Sequence, residues 1–200
     1  MDGRKICRTI ENPIDNILID FAHFLNPYAK KLGATPNIIT SISLLVSLVG
    51  IHYILKFDYK TGAILYFLGY FFDCMDGNFA RTYNMSTVFG DWYDHISDFI
   101  KSILFFYAIY NLPLLLSSKF LLMGISGILF LISLIHLGCQ QKHDDSSNKT
   151  VLDYLINFCV NKKHIHISKY FGCGTLFLIT MVITFFLQEI NQLIQVMYNV

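Results

Sequence analysis

Long apolar segments recur along the chain, separated by short polar stretches that contain turn-forming residues. Each segment is close to the roughly 20 residues that a helix needs to cross the hydrocarbon core of a bilayer. The predicted membrane spans are residues 38–56, 61–80, 89–110, 119–138 and 170–187. This pattern indicates an all-α integral membrane protein, a bundle of five to six transmembrane helices.

Two further stretches have other patterns. Residues 14–32 carry apolar side chains at helical spacing with polar residues between them, which is typical of an amphipathic helix in the membrane interface. Pro27 should interrupt or kink this helix. Residues 151–169 are too few and too polar at their end to span a membrane, so we expect them to be interfacial or cytosolic.

Composition and charge support a membrane protein with a defined orientation. Apolar residues make up 54% of the chain and charged residues 14%, whereas about a quarter of an average globular domain is charged. If the N-terminus is cytosolic, Lys56, Lys60 and Lys119 are the lysines in the outside loops, which favours that orientation. We therefore predict a cytosolic segment with the amphipathic helix, residues 1–37, and a transmembrane domain, residues 38–200.

The sequence gives no sign of a nucleic-acid partner or of a cysteine-based site. No acidic or basic tail is present that would suggest nucleic acid. The five cysteines are scattered and lack Cys-x-x-Cys spacing, so neither a disulfide framework nor a zinc site is predicted. Most of them should serve as small apolar side chains.

Acidic residues are concentrated where the second predicted span ends and the third begins. Helical spacing places the key residues on two stripes that face a common space. The stripes consist of Asp73, Asp76, Gly77, Ala80 and Arg81, and of Gly90, Asp94 and Asp98. Carboxylates in a membrane helix are costly and repel one another, so this group needs a cation. Ligation by oxygen alone suits Mg²⁺ or Mn²⁺ and argues against zinc.

The pattern D-x2-D-G-x2-A-R-x8-G-x3-D-x3-D over residues 73–98 resembles the signature of the CDP-alcohol phosphatidyltransferase family, also called CDP-alcohol phosphotransferases. These are membrane enzymes of phospholipid biosynthesis. All eight fixed positions of the signature match. Upstream, Pro36-Asn37-x-x-Thr40 is similar to a P-N-x-x-T element of the same family.

The resemblance implies a role for each motif residue. The metal ligands, for two ions of Mg²⁺ or Mn²⁺, would be Asp73, Asp76, Asp94 and Asp98. Asp98 would also be the catalytic base that takes the proton from the attacking hydroxyl. Gly77 and Ala80 would let the cytidine nucleotide of the donor approach the backbone, and Arg81 would neutralise its phosphates.

The implied reaction is the transfer of a substituted phosphate group from a CDP-linked donor to a hydroxyl acceptor, with release of CMP. The short chain favours CDP-diacylglycerol as the donor. The alternative is a choline or ethanolamine phosphotransferase acting on diacylglycerol, which the Asp94-His95 pair resembles. Intramembrane carboxylates would also suit a divalent-cation transporter. An inactive scaffold is a further alternative, although no key residue of the motif is lost.

The charge distribution places the site at the cytosolic face of a multi-pass protein, in the endoplasmic reticulum if the cell is eukaryotic. The bilayer and a second copy of the chain, in a homodimer, are the further expected partners. Family members usually have six spans. Either residues 151–169 supply the sixth, or residues 188–200 are a remnant of it, or the acceptor side of the cavity is built differently.

Three further charged or titratable residues lie within or just after the motif: Asp91, His95 and Lys101. We expect Asp91 to be either a solvated acid or an acid at a helix N-terminus. His95 should pack rather than ligate a metal, because adjacent helix residues point about 100° apart. Lys101 either forms a charge-balancing ion pair or binds a substrate phosphate.

Overall fold

The computed structural model describes residues 3–143 and 151–198, with only the backbone described at positions 151 and 152. Within these ranges the chain is helical and contains no β-strand, which confirms the all-α class. The helices are α1 (Pro13–Lys31), α2 (Pro36–Leu55), α3 (Tyr59–Thr82), α4 (Val88–Asn111), α5 (Leu116–His143), α6 (Ile165–Ser168), α7 (Cys173–Phe185) and α8 (Leu187–Tyr198). Short 3₁₀ helices lie between α5 and α7, at Val151–Phe158, Lys162–His164 and Lys169–Phe171.

Helix α1 turns an apolar stripe away from the rest of the protein. It begins where the Asn12 side chain accepts a hydrogen bond from the backbone N–H of Ile14. Its inner face buries Ala22 and Asn26, whereas its outer face exposes more than half of each large apolar side chain. The exposed side chains are Ile17, Phe21, Phe24 and Tyr28. The helix continues through Pro27, so the predicted interruption does not occur, because packing of the inner face holds both sides of the proline in place.

Helices α2 and α3 pack against each other through small residues. A β-carbon placed on Gly69 would lie 2.0 Å from Ser47 Oγ, and one placed on Gly62 would lie 2.8 Å from the Gly50 carbonyl oxygen. No larger side chain fits at either position, and small residues of this kind let two backbones approach closely. This close approach brings the start of α2 against the end of α3, where the aspartate motif begins.

Three segments of the described residues are long and apolar enough to cross a membrane: Pro36–Leu55, Leu116–His143 and Lys162–Phe185. The predicted count of five to six spans is therefore not confirmed. Helices α3 and α4 are each 24 residues long, which corresponds to about 36 Å of helix. The charged residues of the motif lower the mean hydropathy of α3 and α4. These two helices are therefore not among the three segments that length and composition identify as membrane spans.

A disulfide joins Cys139 at the end of α5 to Cys159 in the following connection. The prediction that the cysteines form no disulfide framework is wrong for this pair. The two residues are 20 positions apart, and they meet because the chain after α5 folds back onto that helix. Both pack with Ile6 and Ile165 in a small buried cluster. The segment before α1, the end of α5 and α6 therefore meet in this cluster.

Candidate active site

The site lies where α3 ends and α4 begins. Helix α4 is capped by Thr87, whose Oγ1 accepts a hydrogen bond from the backbone N–H of Gly90 at 3.0 Å. The short connection between α3 and α4 includes Asn84 with a positive φ of 53°, a conformation that asparagine tolerates better than most residues. This connection turns the chain so that the two predicted stripes of carboxylates lie next to each other.

Lys101 joins the two pairs of carboxylates. Its Nζ donates to Asp73 Oδ1 on α3 and lies equally close, 2.7 Å, to Asp98 Oδ1 on α4. The same ammonium donates to Ser43 Oγ on α2 at 3.0 Å. The structure thus shows the charge-balancing ion pair, one of the two roles predicted for Lys101, and this ammonium connects three helices at one point.

Asp76 is held by the upstream element on α2. Thr40 Oγ1 donates to Asp76 Oδ2 at 2.6 Å, and both side chains are almost completely buried. Asn37 in the same element packs against the second half of the motif, because a β-carbon placed on Gly90 would lie 3.1 Å from Asn37 Oδ1. In the sequence, this element was recognised only by its similarity to a family motif. The structure shows its physical role, because it binds Asp76 on α3 and packs against Gly90 on α4.

Asp94 carries the feature that most directly suggests a bound cation. Its Oδ1 is buried and has no hydrogen-bond partner among the described residues, an arrangement that is costly for a carboxylate unless a cation lies against it. Asp94, His95 and Asp98 can each place one ligand atom within 4.8 Å of the others. Carboxylate oxygens at this spacing fit a hard divalent cation such as Mg²⁺ or Mn²⁺.

His95 lies closer to this group than its sequence position indicated. Its Nε2 is 3.5 Å from Asp91 Oδ1, and its Nδ1 is 3.9 Å from Asp94 Oδ2. The spacing of four residues between Asp91 and His95 places them on one helix face, and this was the signal that could have linked them. Asp91, predicted to be a solvated or helix N-terminal acid, lies in the first turn of α4 and also faces the imidazole.

Arg81 lies over the glycine of the motif. A β-carbon placed on Gly77 would lie 3.2 and 3.3 Å from the two terminal nitrogens of its guanidinium. Its Nε donates to the carbonyl oxygen of Gly3 at 2.8 Å. Gly77 and Ala80 belong to the same stripe of α3, and Gly77 is partly exposed, so the stripe assigned to the donor nucleotide remains accessible beside the guanidinium.

The comparison with known families agrees with this geometry. The sequence profile named CDP-alcohol phosphatidyltransferase matches residues 33–200. The chain belongs to the CDP-alcohol phosphatidyltransferase family. No significant match is found among curated proteins.

Membership confirms the family that the motif suggested, and several properties follow from it. The CDP-alcohol phosphatidyltransferases are transferases of phospholipid biosynthesis that act in a membrane setting on CDP-alcohol and acceptor substrates. They are known to use divalent metals, which is consistent with the carboxylates gathered near the C-terminal end of α3 and the N-terminal end of α4. The apolar helices of this chain agree with a membrane location.

A second buried polar group in this CDP-alcohol phosphatidyltransferase was not predicted from the sequence. Asp15 on α1 accepts hydrogen bonds from Tyr70 Oη at 2.6 Å and from the backbone N–H of Gly174 at 3.3 Å. Burial raises the pKa of Asp15 to about 7, and the nearby charge of Glu11 adds to this rise. Glu11 in turn accepts a hydrogen bond from Gln140 Nε2 on α5 at 2.7 Å. These contacts attach α1 to α3 and α7, and they attach the segment before α1 to α5.

Proposed function

We propose that this protein transfers a substituted phosphate group from a CDP-linked donor to a hydroxyl acceptor and releases CMP. One observation carries the proposal: the eight motif positions lie on two adjoining helices, with Asp73 and Asp98 bridged by Lys101. The buried, unpartnered oxygen of Asp94 lies in the same group. A scaffold protein would have no need for a carboxylate kept in this costly state.

The metal ions belong with the four motif carboxylates. We assign two ions of Mg²⁺ or Mn²⁺ to Asp73, Asp76, Asp94 and Asp98. When bound, such ions neutralise a pyrophosphate and stabilise both the entering and the leaving oxygen. Thr40 supports this role, because its hydroxyl fixes one oxygen of Asp76 and leaves the other for a ligand.

The donor nucleotide belongs on the stripe of α3 formed by Gly77, Ala80 and Arg81. The lack of a side chain at Gly77 leaves space at the helix backbone for the Arg81 guanidinium and, beside it, for an approaching phosphate. The guanidinium of Arg81 lies directly above this position and suits the planar, bidentate recognition of phosphate oxygens.

Asp98 is the residue proposed to activate the acceptor. Its side chain is 41% exposed, compared with 16% for Asp73, so a hydroxyl can reach it. The acceptor oxygen bonds to phosphorus, the bond from that phosphorus to the oxygen of CMP breaks, and the hydroxyl proton passes to Asp98. A carboxylate that takes this proton contributes about 10²–10⁴-fold to the rate. Lys101 keeps Asp98 oriented toward the other carboxylates.

The favoured donor is CDP-diacylglycerol, with a small polar alcohol as the acceptor, because the chain is short. A choline or ethanolamine phosphotransferase acting on diacylglycerol is the alternative within the same chemistry. The distribution of lysine and arginine residues favours a site on the cytosolic face of the membrane. If the cell is eukaryotic, we expect that membrane to be the endoplasmic reticulum. A homodimer in the bilayer remains part of the proposal.

The test is CMP release by the purified protein in detergent. Labelled CDP-diacylglycerol or CDP-choline is supplied with a panel of acceptors and with Mg²⁺ or Mn²⁺. We expect one donor class to give CMP, and Asp98→Asn to lower turnover by about 100-fold or more. Glu189→Gln is the control, because Glu189 is exposed and pairs with Lys60 on α3, away from the motif. Metal flux into vesicles without CMP release from any pair would instead support a transporter.

A further inference from the structure

The segment before α1 reaches the donor side of the candidate site, although it lies outside the family match at residues 33–200. The carbonyl oxygen of Gly3 accepts a hydrogen bond from Arg81 Nε at 2.8 Å. This contact joins residues 78 positions apart in the chain. We call residues 3–12 the N-terminal strap.

Glycine is the one residue type that fits at position 3, where the strap crosses α3. The φ of Gly3 is +65°, a left-handed conformation that is strained for residues with a side chain. A β-carbon placed there would lie 2.2 Å from Thr82 Oγ1 and 2.5 Å from the carbonyl oxygen of Asn78. The strap backbone therefore rests directly on the last turn of α3, with no space for a side chain between them.

Neighbouring residues hold the strap in this position. The Arg4 side chain is only 8% exposed and pairs with Asp20 on α1. Arg4 Nη1 also donates to Asn16 Oδ1 at 2.6 Å. Two positions later, Ile6 is buried against the disulfide between Cys139 and Cys159. The Gly3 carbonyl is thus fixed by contacts to α1 on one side and to α5 on the other.

A fixed carbonyl at this point determines where the Arg81 guanidinium lies. Arginine loses considerable rotamer freedom when its side chain is immobilised, and a partner at Nε fixes the plane of the guanidinium group. With Nε bound to Gly3, the terminal nitrogens lie over Gly77. They therefore face the part of α3 that the proposed function assigns to the donor phosphates.

We propose that Gly3 is a positioning residue for donor binding, whose carbonyl holds the Arg81 guanidinium above Gly77 before the nucleotide arrives. The inference rests on the proposed function, since it assumes that Arg81 contacts the CDP-linked donor. The strap is then a part of the donor site supplied from outside the family-matched region.

The main test compares Gly3→Ala with Gly33→Ala in the full chain. Gly33 also has a positive φ, +77°, but a β-carbon there meets nothing within 4 Å. Both variants carry the same kind of backbone strain, and only Gly3→Ala pushes the strap away from α3. We expect Gly3→Ala to raise the donor KM by about tenfold, the effect of losing a hydrogen bond to a charged group, with kcat nearly unchanged. Gly33→Ala should leave the donor KM unaltered.

A second comparison uses Arg81→Lys, which keeps the positive charge but lacks the Nε–H that Gly3 accepts. We expect Gly3→Ala to have no further effect on donor KM in the Arg81→Lys background. Arg4→Gln, which loosens the strap without placing a side chain against α3, should raise the donor KM in the same direction. It serves as the second probe if Gly3→Ala does not fold.

Several outcomes would overturn the inference. They are an unchanged donor KM in both Gly3→Ala and Arg4→Gln, an equal rise in Gly33→Ala, and an undiminished effect of Gly3→Ala beside Arg81→Lys. Failure of the proposed function gives a different result, in which the wild type releases no CMP or Arg81→Lys leaves donor KM unchanged.

Discussion

Lys101 Nζ lies 2.7 Å from Asp98 Oδ1, one helical turn away on α4. The ammonium is almost completely buried, whereas the carboxylate is partly open to a substrate. An ion pair of this kind orients the carboxylate and also supplies positive charge where metal cations are proposed to bind. Its removal should therefore affect turnover and metal affinity in opposite directions.

For Lys101→Gln, we expect CMP release to fall by about 10-fold or more, because a buried charge partner is lost and Asp98 is no longer held. The Mg²⁺ concentration for half-maximal activity should decrease, since one competing positive charge is gone. Steady-state rates across a Mg²⁺ titration measure both quantities. Lys101→Arg keeps the charge and should stay closer to the wild type; a higher Mg²⁺ requirement in Lys101→Gln would contradict this account.

Thr40→Val tests the contact between the upstream element and Asp76. Valine has nearly the same shape but cannot donate the hydrogen bond that Thr40 Oγ1 makes at 2.6 Å. Loss of a group that orients a metal ligand weakens metal affinity by about 10–100-fold, so the Mn²⁺ or Mg²⁺ requirement should rise by that amount. Thr40→Ser retains the hydroxyl and is the matched control. Equal metal requirements in the two variants would show that the hydroxyl does not support the site.

Asp15 predicts a pH dependence of stability. Its pKa is about 7 in the folded protein and 3.8 in a free side chain, so the folded state holds the proton more tightly. The stabilisation from this group is complete below pH 3.8 and is lost as the pH rises to about 7. Thermal unfolding in detergent between about pH 5 and about pH 8 should show the wild type losing stability relative to Asp15→Asn.

The groups facing Asp15 must be considered in that experiment. They are Glu11, Tyr70, Asp73, Cys74 and Cys173. Their titration is common to both proteins, so the difference between wild type and Asp15→Asn isolates the one carboxyl. A difference that does not vary with pH would indicate that Asp15 is ionised in the fold throughout this range.

The disulfide should stabilise the fold by closing a loop between Cys139 and Cys159. A loop of this size corresponds to about 3 kcal/mol of unfolding free energy in the chain-entropy description. The double variant Cys139→Ser/Cys159→Ser should therefore unfold at a clearly lower temperature in detergent. Cys7→Ser is the control, because Cys7 is an exposed cysteine outside the disulfide. If the double variant unfolds like the wild type, the link contributes nothing to stability.

The same bond tests the predicted orientation. Disulfides are rare in reducing cytosol, yet Cys139 and Cys159 lie at the end of the protein that the charge distribution assigns to that side. Thiol labelling of protein taken directly from cells will show whether the two cysteines are reduced there. Reduced cysteines would agree with a cytosolic face, and a fully formed bond would favour the opposite orientation.

The sequence was most informative where chemistry depends on helical spacing. Asp73, Asp76, Asp94 and Asp98 could be assigned to facing stripes because carboxylates at intervals of three or four residues share one face of a helix. The approximate positions of the longer helices followed from apolar periodicity, whereas the capping roles of Asn12 and Thr87 emerged only in the structure.

The contacts that the sequence did not reveal are long-range. Thr40 with Asp76, Gly3 with Arg81, and the bond between the two cysteines all join separate elements, and no local pattern encodes such pairings. The continuation of α1 through Pro27 is a similar case, since tertiary packing outweighed a local preference.

The interlocked glycines and serines of α2 and α3 bear on how such a protein can diversify. With Ser47 against Gly69 and Gly50 against Gly62, a larger side chain at either glycine of α3 would push α2 and α3 apart. Evolution can therefore change this pair of helices little at these positions, and we expect differences in acceptor preference between related proteins to arise at other positions.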